Sequence, residues 1–264
     1  MSESLRLVQR RVALIERRRS SAIPQAQSFV TSGHLAIDQV LGGGLMLGRM
    51  HEVLADRDNA GSVSGFAALL ARLVGGETLW LTEEAAWRQA GALHPAGLAA
   101  IGIDPARLII GVLPDAAAVL RAAVDGLRCP ALGSVMIALM GDPRALDLTA
   151  SRRLALAAET HGVTAILLRL GGQVAPNAAQ TRWRVAAAPS APMAADVPGH
   201  PAWDIELMRQ RGRPDGGRWR VEWNREQGRI CDWGEAGGTA LSGAVVPVPV
   251  DRPAAARSPL RQAG

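Results

Sequence analysis

Short apolar runs and longer helical repeats take turns through the middle of this chain. Residues 50–54 read as a strand, 65–74 as a helix, 78–81 as a strand and 84–93 as a helix. The alternation continues with strands at 108–112, 134–140 and 165–168, separated by helices at 115–127 and 150–160. That spacing predicts an α/β fold with a mostly parallel sheet flanked by helices on both faces. After Gly171 the pattern becomes short alternating strands, at 181–186, 203–208 and 218–223. Residues 214–217, Pro-Asp-Gly-Gly, supply a hairpin turn between the last two, so these strands are expected to extend the sheet in antiparallel fashion.

The two ends of the chain differ from this middle. Leu5, Val8, Val12 and Ile15 form one narrow apolar seam surrounded by six arginines, the pattern of an amphipathic helix, and residues 20–28 read as a linker. From residue 234 onward Gly, Pro, Ala and Ser dominate without periodicity, which predicts a disordered tail. The predicted organisation is therefore an N-terminal helix and linker over residues 1–30, a core over 31–233 and a tail over 234–264.

Composition sharpens the picture in three places. All 29 basic side chains are arginine, so no reaction that needs a lysine is open to this chain. The net charge of +5 owes most to residues 1–30, where six arginines face only Glu3 and Glu16. It is therefore a weak argument for nucleic-acid binding. Cys129 and Cys231 match no zinc or redox spacing and read as buried thiols in a reducing compartment. No run of 18 apolar residues occurs, and a cytoplasmic protein without membrane attachment is expected.

The candidate chemistry gathers around the first core strand. Gly42, Gly43, Gly44 and Gly48 precede that strand, whereas a phosphate-binding loop follows a strand and opens a helix, so they read as a tight turn. The loop in the right place spans residues 55–64. Such a loop needs an initial glycine, then a lysine near its end and a hydroxyl for magnesium. Here Ala55 and Asp56 stand at the start, Gly61 at the second glycine position and Ser62 where lysine belongs, with Ser64 following. Asp56 and Asp58 add negative charge, and the planar fork of Arg57 is no substitute for a lysine. Leu139 occupies the expected place of a metal-binding aspartate, with Asp142 already in the turn beyond it. Glu83 and Glu84 read as exposed loop acids or the first turn of a helix. Trp183 and Trp219, flanked by Arg182, Arg184, Arg218 and Arg220, are expected to be buried on one sheet face with the arginines solvated opposite.

The order of these features resembles the core of RecA-type recombinases. The residues carrying it are Gly48-Arg49-Met50-His51-Glu52-Val53, the loop to Gly61, the strand ending in Glu83, and Gly102-Ile103-Asp104 before the strand at 108–112. It resembles more specifically the ImuA family of bacterial damage-induced mutagenesis, in His51-Glu52-Val53, the lysine-free loop, Gly65-Phe66-Ala67 and the hairpin over 203–223. The resemblance implies a RecA-like fold with a degenerate phosphate loop at Ala55, Asp56, Gly61, Ser62 and Ser64, and no catalytic residue, metal or cofactor. It further implies an adaptor in SOS-induced translesion synthesis, acting with the polymerase-like ImuB, an error-prone replicative-type polymerase and RecA, with weak DNA binding and self-association as further expectations. Leu5, Val8, Val12 and Ile15 are the candidate partner-binding residues. An active RecA-like ATPase and a SulA-like cell-division inhibitor remain the alternatives.

Overall fold

Strand β3 (Met50–Ala55) is buried along its whole length, which is the condition of a central strand in a sheet covered on both faces. The computed structural model describes residues 28–192, 199–214 and 216–235. The seam of Leu5, Val8, Val12 and Ile15 and the tail from residue 236 lie outside them.

Around β3, the strands β4 (Glu77–Glu83), β5 (Leu108–Leu113), β6 (Leu132–Met140), β7 (Thr164–Leu170), β8 (Thr181–Ala188), β9 (Ala202–Gln210), β10 (Arg218–Asn224) and β11 (Arg229–Asp232) complete a nine-stranded sheet. Its order is β11-β10-β9-β8-β3-β7-β6-β4-β5. From β8 through β3 to β5 all neighbours are parallel, and β8 to β11 are antiparallel. This is a RecA-like α/β fold with a C-terminal antiparallel extension.

Two layers of helix cover the sheet. Helix α1 (Leu35–Leu41), α2 (Ala60–Val74), α3 (Glu84–Ala90) and α4 (Pro95–Ala100) share one core with Val53, Ala138, Leu168, Trp183 and Trp223. Helix α5 (Ala116–Leu127) and α6 (Leu148–His161) share the other with Leu79, Ile137, Leu139 and Leu167. Alternate residues of the same strands feed the two cores, as the pleat requires. Asp115 and Asp147 open α5 and α6 by accepting backbone N–H groups from Ala118 and Ala150, so both helices start with a satisfied cap.

Several elements differ from the expected ones. The segment before β3 contains α1 and a short antiparallel pair, β1 (Phe29–Val30) with β2 (Leu45–Met46), joined through the glycine cluster. Gly42 caps α1 in the left-handed conformation, and at Gly44 (φ 124°) a Cβ would meet the Val30 carbonyl oxygen at 2.3 Å. The helix expected over 84–93 stops at Ala90, where Gly91 turns with φ 83°, and α4 begins at Pro95. Strand β11 is too short for alternation to reveal; Ser32 covers its outer edge by accepting the Ile230 N–H at 3.0 Å.

Candidate functional site

Ligands of open α/β sheets gather at the carboxyl ends of the parallel strands. Here those ends include Ala55, Glu83, Met140 and Leu170, and the degenerate-loop residues follow directly on Ala55, through one 3-10 turn into the first residues of α2. The connection from β3 is shorter than the expected loop over 55–64. Residues Arg57–Asn59 form one 3-10 turn, and α2 begins at Ala60, so Gly61, Ser62 and Ser64 belong to the helix. Ala60 and Val63 are buried there, and the Trp203 indole N–H donates to the Ser62 carbonyl at 2.9 Å. These contacts hold as helix a Gly- and Ser-containing stretch whose local propensity favours a loop.

The turn leaves little for a phosphate to bind. The N–H groups of Asn59 and Ala60 already donate to the carbonyls of Asp56 and Arg57. The Asn59 side chain crosses to β8 and accepts the Ala187 N–H at 2.9 Å. Arg57 lies across the end of β7: a Cβ on Gly171 would stand 2.5 Å from its Cγ, so the absence of a side chain at Gly171 (φ 72°) admits the arginine stem. Gly61, the one glycine of the turn and first helical residues, is helical rather than left-handed. Two N–H groups of the turn are thus taken, and no left-handed glycine shapes residues 56–62 into the concave nest that cradles phosphate.

The acidic candidates are also engaged. Glu83 is buried and not an exposed loop acid, because its carboxylate accepts the Met140 N–H on the neighbouring strand β6. Glu84 is exposed in the first turn of α3, where the helix dipole favours it. Leu139 is fully buried under α5 and α6. Asp142 accepts the Gln173 N–H at 3.0 and 3.1 Å and pairs with Arg169. A triphosphate and its magnesium do not fit these residues: no lysine is present, the Asn59 and Ala60 N–H groups are already engaged, and Asp56 and Asp58 project negative charge. Among the described residues, no group of three His, Cys, Asp or Glu side chains is placed to hold a metal.

Beneath this edge lies a cluster that motif reading passed over. Glu52, fully buried in β3, meets Arg169 of β7 at 3.3 Å and is paired on its other oxygen with Arg182 of β8. Arg182 also donates to the Ala175 carbonyl, and Arg169 links onward to Asp142. Two carboxylates and two guanidiniums thus tie β3, β7, β8 and two of the strand-end loops together. The expectation of a solvated Arg182 is corrected: it is only 4% exposed, because β8 at that register lies beside Glu52. A signal was present in the sequence, since an acid inside a wholly buried strand demands charged partners.

Arg184, Arg218 and Arg220 stay at the surface, as expected. Arg218 pairs with Glu206 at 2.9 Å and Arg220 grips Asp204 at 2.7 and 2.9 Å. Trp183, Trp203 and Trp223 are buried on the opposite face, Trp219 packs half-buried against Trp183, and Phe66 meets Trp203 edge-on at 5.6 Å. The rings are thus committed to the core and unavailable as a stacking platform.

No model of a known protein family matches the chain. A curated relative, Protein ImuA of Caulobacter vibrioides, is 36% identical over 194 residues, covering 67% of this chain and 75% of the relative. The chain belongs to the ImuA family. Among solved structures, the crystal structure of the RadB recombinase superposes with a TM-score of 0.55 at 16% identity, over 77% of this chain and 99% of that one. This ImuA-family chain therefore keeps the fold of a recombinase core. No helix among its described residues is long and apolar enough to cross a membrane.

Proposed function

We propose that this ImuA-family chain is a non-catalytic RecA-like adaptor in the cytoplasmic response to DNA damage, acting with ImuB and an error-prone polymerase in translesion synthesis. The observation that carries the reading is the replacement of the phosphate-binding groups at the strand ends. Ser62 stands where a phosphate-binding lysine belongs, Arg57 lies over Gly171, and Glu83 is engaged by the Met140 N–H. Phosphoryl transfer depends on positioning and charge neutralisation by such groups, so their loss removes the chemistry while the surfaces of the fold remain for partners.

Steady-state ATP turnover by the purified full chain, with and without single-stranded DNA, tests this. Turnover at the no-enzyme background is expected in both conditions. DNA-stimulated hydrolysis above background overturns the adaptor reading in favour of an active ATPase. Co-purification with the ImuB encoded in the same genome supports the adaptor role, and co-purification with a cell-division protein in its place supports the SulA-like alternative.

A further inference from the structure

Helices α5 and α6 lie side by side on the sheet face away from α2, and the open groove between them, into which Ala117 also faces, measures about 660 Å³. Leu120 and Val124 from α5, with Ala150 and Leu154 from α6, make its floor. Arg121, Arg128 and Arg153 line its sides. Next to Arg153, the i, i+4 row Leu148, Arg152 and Leu156 runs along the outside of α6, with Leu148 39% and Leu156 65% exposed.

Four arginines on this surface, Arg121, Arg144, Arg152 and Arg153, stand without an ion pair among the described residues. Arg128 meets only Asp125, at 3.5 Å with both side chains more than half exposed, a pairing of little consequence. Of the nearby acids, Asp125 lines the groove beside Arg128, while Asp147 caps α6 and Glu159 pairs with Arg49. The arginines of β10, by contrast, are matched by Asp204 and Glu206.

We propose that the groove between α5 and α6 docks an acidic amphipathic helix of a partner protein. Its apolar side chains enter the floor between Leu120 and Leu154, and its carboxylates meet Arg121, Arg128 and Arg153. An apolar channel between two helices accepts a third helix by its i, i+3, i+7 face, and the arginine rim selects for acidic flanks. A nucleic-acid backbone would use the rim and leave the floor unused. The chain's own segments outside the described residues are poor occupants, since residues 1–27 carry six arginines against two acids and residues 236–264 three against one. The surface rests on the adaptor reading in one respect, that a partner exists, and lies apart from the strand-end site.

Fluorescence anisotropy on the full chain tests it, with a labelled, hydrocarbon-stapled helical peptide of about 14 residues, roughly four turns, bearing leucines at i, i+3 and i+7 and a mixture of glutamate and alanine elsewhere. The counterpart peptide has lysines in place of the glutamates, and unlabelled single-stranded and duplex oligonucleotides serve as competitors. The acidic peptide is expected to bind at least roughly tenfold more tightly than the basic one and to weaken with salt. The double reversal Arg121→Glu with Arg153→Glu, and separately Ala117→Trp, which fills the groove without changing charge, are each expected to weaken it by about tenfold or more. Arg121 and Arg153 are exposed, so the reversal is expected to leave the melting temperature unchanged. Equal binding of the two peptides, or binding indifferent to both variants, overturns the proposal. Loss of binding in the reversal but not in Ala117→Trp, with full displacement by oligonucleotide, makes the surface a nucleic-acid site and overturns it too. ATP turnover measured on the same preparation reports on the adaptor reading separately: an active ATPase that still binds the acidic peptide overturns that reading and leaves this one standing.

Discussion

His51 shows how a single side chain couples this fold to pH. Its ring is fully buried, with Nε2 donating to the Met46 carbonyl at 2.8 Å and Nδ1 accepting from the Thr181 hydroxyl at 2.8 Å. Thr181 in turn accepts the Trp183 indole N–H at 2.9 Å, so its hydroxyl proton is directed to the histidine. Burial pushes the imidazole down to about 4, the Met46 carbonyl opposing this only in part. The folded state therefore resists a proton that the unfolded chain accepts from about pH 6.5 downward. Stability from this group is complete above that pH and is lost as pH falls towards 4. The loss is on the order of 3 kcal/mol. Urea unfolding of wild type and His51→Asn across pH 4–7 is expected to show the steeper fall in wild type. Parallel curves would place the pH dependence elsewhere.

At the scale of elements, the sheet is held by a charged rivet as well as by its ladders. Glu52 on β3 lies between Arg169 on β7 and Arg182 on β8, all three nearly inaccessible to water. A pair so buried adds less to stability than its Coulomb attraction suggests, yet removing one partner strands the others. Glu52→Gln is expected to cost about 3–5 kcal/mol in chemical unfolding. Combining it with Arg182→Met is expected to recover part of that loss, since the double variant no longer buries the Arg182 charge. Additive losses would show that the two side chains act independently. The same cluster ties two strand-end loops to the sheet: Arg169 holds Asp142 and Arg182 holds the Ala175 carbonyl.

For the whole molecule, the distribution of charge matters more than its sum. The arginines of β10 are matched by acids on β9, those along α5 and α6 stand largely without ion pairs among the described residues, and residues 1–27 are strongly basic. An isolated helix with the seam Leu5, Val8, Val12 and Ile15 is marginal in water and needs a surface to bury against. Deletion of residues 1–22 is expected to shift the melting temperature by less than ~5 °C while abolishing association with ImuB, RecA or a second copy in pull-down. A larger drop in melting temperature, or association that survives the deletion, would assign this segment to the core.

The sequence by itself determined the α/β class, the position of nearly every long element, the absence of lysine chemistry and the face on which the tryptophans are buried. Periodicities of 2.0 and 3.6 residues are written locally, because each strand or helix must bury one side whatever its neighbours are. The tertiary structure alone decided that Arg57 lies over Gly171, that residues 60–64 are helix, and that Glu52 meets arginines 117 and 130 positions away. Those outcomes depend on strand order and register, which bring β7 and β8 to either side of β3. Alternation marks Arg182 as one of a row of outward-pointing arginines; only the neighbouring strand makes that position an interior one, beside a buried carboxylate.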